Sequence, residues 1–201
     1  MLELLKSIDT DLFLALNGAH SPFFDFVMFW ASERWIWIPL YVFFAWLLYK
    51  HYGKKAWIMI LMAGILIVIN DKTSVYLFKN VFLRLRPCHE PSLAGMVHLV
   101  NGHCGGQYGF ISSHAANSFG LAAYLSLLLG KKIRYFIPLV IIWALLLSYS
   151  RVYLGVHYPG DVIVGAIWGG GLGTAIFILT NRIFQHIVTI GHNRKTHRSI
   201  V

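Results

Sequence analysis

Long apolar runs along this chain alternate with short polar interruptions. The runs predict five helical spans: Trp35 to Tyr49, Ala56 to about Phe82, His114 to Leu129, Tyr135 to Tyr149, and Asp161 to Thr180. Each approaches the roughly 20 residues that a helix needs to cross a hydrocarbon core. Ahead of them, Leu2, Leu5, Leu12 and Leu16 recur among polar residues, the pattern of an amphipathic helix lying in the membrane interface. Asn17-Gly18 ends that helix, and Ser21-Pro22 opens a second one over residues 22–32. This second segment is apolar but short, and reads as interfacial or partly re-entrant. A polar loop rich in Gly, His and Pro occupies residues 84–113, and a basic tail follows residue 181. The expected fold is an all-α integral membrane protein. It is a single membrane-embedded domain over residues 1–201, a bundle of about five to six transmembrane helices with an N-terminal interfacial segment (1–34).

Composition supports this reading. The chain is 57% hydrophobic and 12% charged, about half the charged fraction of an ordinary soluble domain, and its mean hydropathy is +0.63. The net charge of +9 could suggest a nucleic-acid partner, but its distribution argues against one. Ten of the 17 Lys and Arg residues fall in three acid-free patches: Lys50, Lys54, Lys55; Lys131, Lys132, Arg134; and Arg182, Arg194, Lys195, Arg198. Such patches mark cytoplasmic loops. The tail is therefore expected to be cytoplasmic and mobile at its end. The N-terminus carries Glu3, Asp9 and Asp11 rather than a basic region, so no cleavable secretory signal is expected.

Three polar segments remain, and all alternate to the side opposite the basic patches. They hold Lys79 and Arg86-Pro87; Ser112-Ser113-His114; and Ser150-Arg151 with His157 and Asp161. In so apolar a chain, ionisable residues near the bilayer are costly unless functional. Lys79, Arg86 and Arg151 could neutralise the charge of a phosphoryl group in transfer, with arginine forks matching phosphate oxygens. Ser112 and Ser113, just before a helix, could add hydroxyls and backbone N–H groups. Asp161 could cap the last span and fix the tautomer of His157, leaving one imidazole nitrogen free to attack phosphorus. His114 could protonate the leaving oxygen. No cofactor or metal is required by this set.

These segments resemble the type 2 phosphatidic acid phosphatase (PAP2) superfamily. Its pattern is Lys, six residues, Arg-Pro; then Pro-Ser-Gly-His; then Ser-Arg, five residues, His, three residues, Asp. The first segment, Lys79 to Pro87, and the third, Ser150 to Asp161, fit throughout. The second reads Ile111-Ser112-Ser113-His114, with Pro and Gly replaced. The resemblance implies a lipid phosphate or diphosphate hydrolase. His157 would be the nucleophile, Asp161 its partner and His114 the acid, with Lys79, Arg86, Ser112 and Arg151 on the phosphate. It favours a bacterial inner-membrane enzyme with an extracytoplasmic active site acting on undecaprenyl diphosphate. Phosphatidylglycerol phosphate, phosphatidate and lipid A phosphate stay open. Vanadium-dependent haloperoxidases share the constellation but are soluble. A transporter or channel using Asp71 and Lys72 is the alternative from another class.

Other polar residues carry blander expectations. Lys72, Lys79 and Arg86 stand seven apart, so on one continuous helix they would share an inward face. Asp71 and Lys72 could be a buried pair, gating residues or packing contacts. Arg84 reads as a surface cation near headgroups. His89, Glu90, His98 and His103 read as solvated loop residues. Cys88 and Cys104 could form a disulfide closing a loop of about 15 residues, remain free thiols, or join His89, His98 and His103 on a metal.

Overall fold

The computed structural model describes the backbone of residues 2–198 and the side chains of residues 3–187. It contains seven principal helices. α1 (Leu2–Gly18) and α2 (Pro22–Ser32) are bent against each other by 116°. α3 (Ile38–Tyr52) and α4 (Ala56–Thr73) follow, α4 continuing through a π-helical stretch, Ser74–Lys79, to a last turn at Asn80–Phe82. After the polar loop come α5 (Ser113–Leu129), α6 (Phe136–Tyr153) and α7 (Pro159–Arg198). Among the described residues the only β pairing is an isolated bridge, Leu85 with Tyr108.

Among the described residues, three helical stretches are long and apolar enough to cross a membrane: Arg34–Phe82, Phe136–Tyr153 and Pro159–Ile187. The first is a hairpin. Gly53, at φ 56° and ψ −137°, breaks it between α3 and α4. The Tyr52 hydroxyl bonds the carbonyl of Leu128 at one end, while Trp37 and Lys79 line one cavity at the other. α5, 17 residues long, packs against α4, α6 and α7. Its Ala115, Ala116, Gly120, Ala122 and Tyr124 are buried. Leu4, Leu5, Ile8 and Leu12 of α1 are exposed, the apolar face expected to meet lipid.

Small residues let α5 and α7 touch backbone to backbone. A Cβ on Gly169 would lie 1.9 Å from the carbonyl oxygen of Ala116, and one on Gly173 would lie 2.2 Å from that of Gly120. The glycine run at 169–173 thus serves the close packing its spacing suggests. Gly170 and Gly171 face open space. Polar clasps join the helices around α5: Asn70 donates to the carbonyl of Ala116, and Tyr124 donates to that of Met59.

The basic patches gather at one end. Lys132 lies over the Tyr52 ring at 4.8 Å and Lys55 over Phe184 at 5.8 Å. The polar segments occupy the other end, with α1 and α2. There Asn17 is fully buried and clamps three strands of chain. It donates to the carbonyls of His98 (3.0 Å) and Tyr153 (2.7 Å) and accepts from the N–H of His98 (2.8 Å).

Two helix ends differ from the sequence expectation. α6 continues past Tyr149 to Tyr153, because Tyr153 is buried and its hydroxyl donates to Asp25 at 2.7 Å. Arg151 therefore sits in the last turn of a helix rather than in a loop. α7 runs past Thr180 to Arg198; neither glycine nor proline interrupts residues 181–190. The mobility expected at the very end of the tail concerns residues outside those described.

Candidate active site

Six residues singled out from the sequence line one cavity of about 400 Å³: Lys79, Arg86, Ser113, His114, Arg151 and His157. They come from five separate parts of the chain. Lys79 ends the π-helical stretch of α4, Arg86 begins the polar loop, Ser113 and His114 open α5, and Arg151 closes α6. His157 sits in the short connection to α7.

Local folding explains each placement. A π turn rotates the residues beyond it relative to an α-helix. Lys79 thereby reaches the Ser113 hydroxyl at 3.1 Å, with Ser74 meeting the same hydroxyl at 2.6 Å. Packing of Phe78 against Trp168 and Phe110 fixes the turn. Leu83 then adopts left-handed φ 49° and ends the helix. Lys72, Lys79 and Arg86 consequently do not share a face. Lys72 is exposed beside Tyr76, whereas Asp71 lines the cavity and accepts from Asn117 at 2.8 Å.

The loop base is pinned around Arg86. The Arg86 N–H donates to the Gln107 carbonyl at 3.1 Å, and the Gly109 N–H donates to the Arg84 carbonyl at 2.9 Å. Cys88 and Cys104 form a disulfide with Cα atoms 5.9 Å apart, so neither thiol is free for a metal. His89 stays close to both cysteines, but His98 instead pairs with Asp25 and stacks on His20.

His157 is 2% exposed and Asp161 is 0% exposed. Nδ1 of His157 faces Oδ2 of Asp161 at 3.4 Å. The same carboxylate oxygen accepts the Tyr158 N–H at 3.1 Å. Asp161 therefore reaches back from the first turn of α7, as its position suggests. Gly109 makes this crowding feasible: a Cβ there would meet Asp161 Oδ2 at 3.1 Å and Arg86 Cγ at 3.2 Å. Burial, then the positive charges of Arg86, Arg151 and Lys79, hold the His157 imidazole well below its ordinary pKa of 6.5. It is a neutral base at physiological pH. Burial also lowers the pKa of Arg86 from its usual value, but its guanidinium remains charged.

Two donors mark the cavity as an anion site. Among the described residues, Nε of Arg86 and Nε of Arg151 are buried without a hydrogen-bond partner. Their terminal nitrogens are partly engaged, Arg86 with the Cys104 carbonyl at 3.3 Å and Arg151 with the Ser32 hydroxyl at 2.6 Å. Unpaired buried donors cost about 1–3 kcal/mol each, and phosphate oxygens would satisfy them. Ser112 is placed differently. It is fully buried behind the cavity, where its hydroxyl caps α5 by accepting the Ala115 N–H at 3.4 Å. Its own N–H donates to the Asp161 carbonyl at 3.0 Å. Ser113, which stands where the family motif has Gly, carries the hydroxyl that faces the cavity.

Sequence reasoning missed Arg84 and Asp9. Arg84 is no headgroup cation: it donates to Asp161 Oδ1 at 2.9 Å and to Asp9 Oδ2 at 2.7 Å, and lies 4.0 Å over the Tyr158 ring. Asp9 in turn accepts the Gly160 N–H at 2.7 Å. The acidic residues of α1 were the only signal, and it was weak.

Comparison with known proteins fits this geometry. The PAP2 superfamily model matches residues 55–185, which contain all nine cavity and partner positions from Lys79 to Asp161. The chain belongs to the PAP2 superfamily. It is 40% identical to the Lipid A 4'-phosphatase of Bacteroides thetaiotaomicron over 91% of this chain and 81% of that one. It is 34% identical to the Lipid A 4'-phosphatase of Porphyromonas gingivalis, over 88% and 74%. Among solved structures, the Aquifex aeolicus LpxE crystal structure superposes with a TM-score of 0.60 at 24% identity, covering 83% of this chain and 93% of that one. Membership in this family, with its apolar helices, makes the chain a membrane lipid phosphatase and excludes the transporter reading of Asp71 and Lys72.

Proposed function

We propose that the protein removes a phosphate monoester from a lipid A-type glycolipid through a phosphohistidine on His157. The observation that carries the chemistry is the convergence of three cations and two imidazoles on one cavity, with a buried carboxylate behind one imidazole. The substrate follows from the two relatives, both Lipid A 4'-phosphatases aligned over most of their length. It displaces undecaprenyl diphosphate, which the motifs alone favoured.

In this reading Asp161 holds Nδ1 of His157, and Nε2 attacks phosphorus. The P–N bond forms as the bond to the sugar oxygen breaks, and that oxygen takes its proton from His114. A water molecule, giving its proton to His114, then attacks the phosphohistidine and releases inorganic phosphate. Lys79, Arg86 and Arg151 stabilise the equatorial oxygens throughout. Apolar side chains from the turn before α3 and from α4 and α6, including Trp37, Val75 and Trp143, line the same cavity and would meet acyl chains. The site end of the bundle would face the extracytoplasmic side of the inner membrane, with the basic end inside.

The test is phosphate release by purified protein from lipid A phosphate, phosphatidate and undecaprenyl diphosphate, with trapping of an acid-labile phosphoenzyme. Preference for the glycolipid and loss of trapped phosphate in His157→Ala are expected. Equal or greater turnover of undecaprenyl diphosphate would overturn the substrate assignment.

A further inference from the structure

A second cavity of about 200 Å³ adjoins the first. The two share Ser32, Arg34, His114 and Arg151. The smaller one does not reach Lys79, Arg86 or His157. It is bounded instead by Glu33, by His103 of the polar loop and by apolar side chains of α2 and of the α6–α7 connection. It therefore lies on the acid's side of the reacting centre, away from the nucleophile. In an in-line displacement the leaving group departs opposite the attacking nitrogen, which is the side His114 must occupy to protonate it.

Ser32 and Arg151 hold each other in this chamber, whereas Arg34 and His103 are exposed at its edge and Glu33 is half-buried. Among the described residues, Glu33, Arg34 and His103 make no side-chain hydrogen bond or ion pair. Two of them are sequence neighbours of residues held in place. Ser32, just before Glu33, is buried and held by Arg151 at 2.6 Å. His103 is next to Cys104, which the disulfide ties to Cys88. Glu33 and Arg34 also precede residue 55, outside the stretch matched by the family model.

We propose that this side chamber is the leaving-group subsite, in which Arg34, His103 and Glu33 bind the hydroxyl-bearing sugar ring released from the phosphate. The assignment deepens the glycolipid phosphatase reading and rests on it. An acceptor carboxylate beside two donors suits a ring with several hydroxyls and suits a bare hydrocarbon alcohol poorly, because unmatched polar groups lose their water without compensation. The main cavity keeps the phosphate and the chains.

The experiment compares full-length wild type with Arg34→Gln, His103→Ala and Glu33→Gln on two substrates, lipid A phosphate and para-nitrophenyl phosphate, whose leaving group has no sugar hydroxyls. The quantity read is the ratio of kcat/KM values for the two. A fall of tenfold or more in that ratio for Arg34→Gln and His103→Ala, partly restored in Arg34→Lys, is expected. An unchanged ratio, whether both rates fall together or neither falls, overturns the subsite while leaving the glycolipid reading intact. Wild type that cleaves para-nitrophenyl phosphate but not lipid A phosphate overturns that reading, and the sugar subsite falls with it.

Discussion

Arg84→Ala is the most informative perturbation, because Arg84 does not line the cavity and reaches His157 through Asp161. Its two charge-assisted bonds, 2.9 Å to Asp161 and 2.7 Å to Asp9, hold the carboxylate that orients His157. Without Arg84, Oδ1 of Asp161 loses its partner at a site that is 0% exposed. An unsatisfied buried acceptor costs about 1–3 kcal/mol. Arg84 is 26% exposed, so water screens part of the interaction and the lower half of that range applies. A loss of about 1–2 kcal/mol from the positioned imidazole corresponds to a roughly 5- to 30-fold fall in rate. Because Arg84 lies outside the phosphate cup, the fall should appear in kcat with KM nearly unchanged. Arg84→Lys, keeping one charged bond, should recover most of it, and Asp9→Asn should lose less, since an amide oxygen can still accept the Gly160 N–H. The assay is steady-state phosphate release, with thermal unfolding to establish that each variant is folded. A folded Arg84→Ala enzyme with kcat within twofold of wild type would refute the positioning role. So would a loss confined to KM, which would make Arg84 a phosphate contact.

Further tests address other parts of the structure. In the proposed mechanism Lys79, Arg86 and Arg151 supply the charge stabilisation of phosphoryl transfer, so chelators should leave turnover intact; a chelator-sensitive rate restored by a divalent ion would contradict this. Burial and neighbouring cations hold the His157 pKa well below 6.5, so if His157 is the proposed nucleophile, the acid limb it gives to kcat/KM should lie below that value. Arg86→Gln removes a neighbouring positive charge and should move this limb upward, measurable from a pH–rate profile. Gly169→Ala places a Cβ against the Ala116 backbone and should abolish folded protein or cost several kcal/mol, whereas Gly170→Ala, facing open space, should be tolerated in the same unfolding assay.

Much of this arrangement was legible because the chain is so apolar. Each cation or imidazole at a span end needs a reason, and Lys79, Arg86, His114, Arg151, His157 and Asp161 share one. What stayed hidden depended on contacts between distant residues or on local irregularity. Nothing in residues 70–86 announces a π turn, yet that turn sends Lys72 outward while Lys79 points inward. Ser112 and Ser113 are chemically identical in the sequence, and only the start of α5 decides which hydroxyl caps and which faces the cavity. Arg84 has no local partner: Asp9 and Asp161 lie 75 and 77 residues away.

The N-terminal helices are the part of the site that motif reading undervalues. α1 sends Asp9 to the network behind His157 and Asn17 to the loop and the end of α6. The turn after α2 sends Glu33 and Arg34 to the leaving-group side. None of these residues lies within the matched residues 55–185. The matched region holds the phosphoryl-transfer groups, which any phosphate ester requires in the same geometry. What the added helices contact is the carboxylate that tunes the nucleophile and the chamber beside the acid. Those are the two places where rate and substrate choice can change without disturbing the cup itself. Exchanging residues 1–34 with those of a relative that prefers another lipid phosphate should therefore shift substrate preference while leaving the dependence on His157 untouched. A chimera with unaltered preference, compared by turnover of the same lipid panel, would place specificity within the matched region instead.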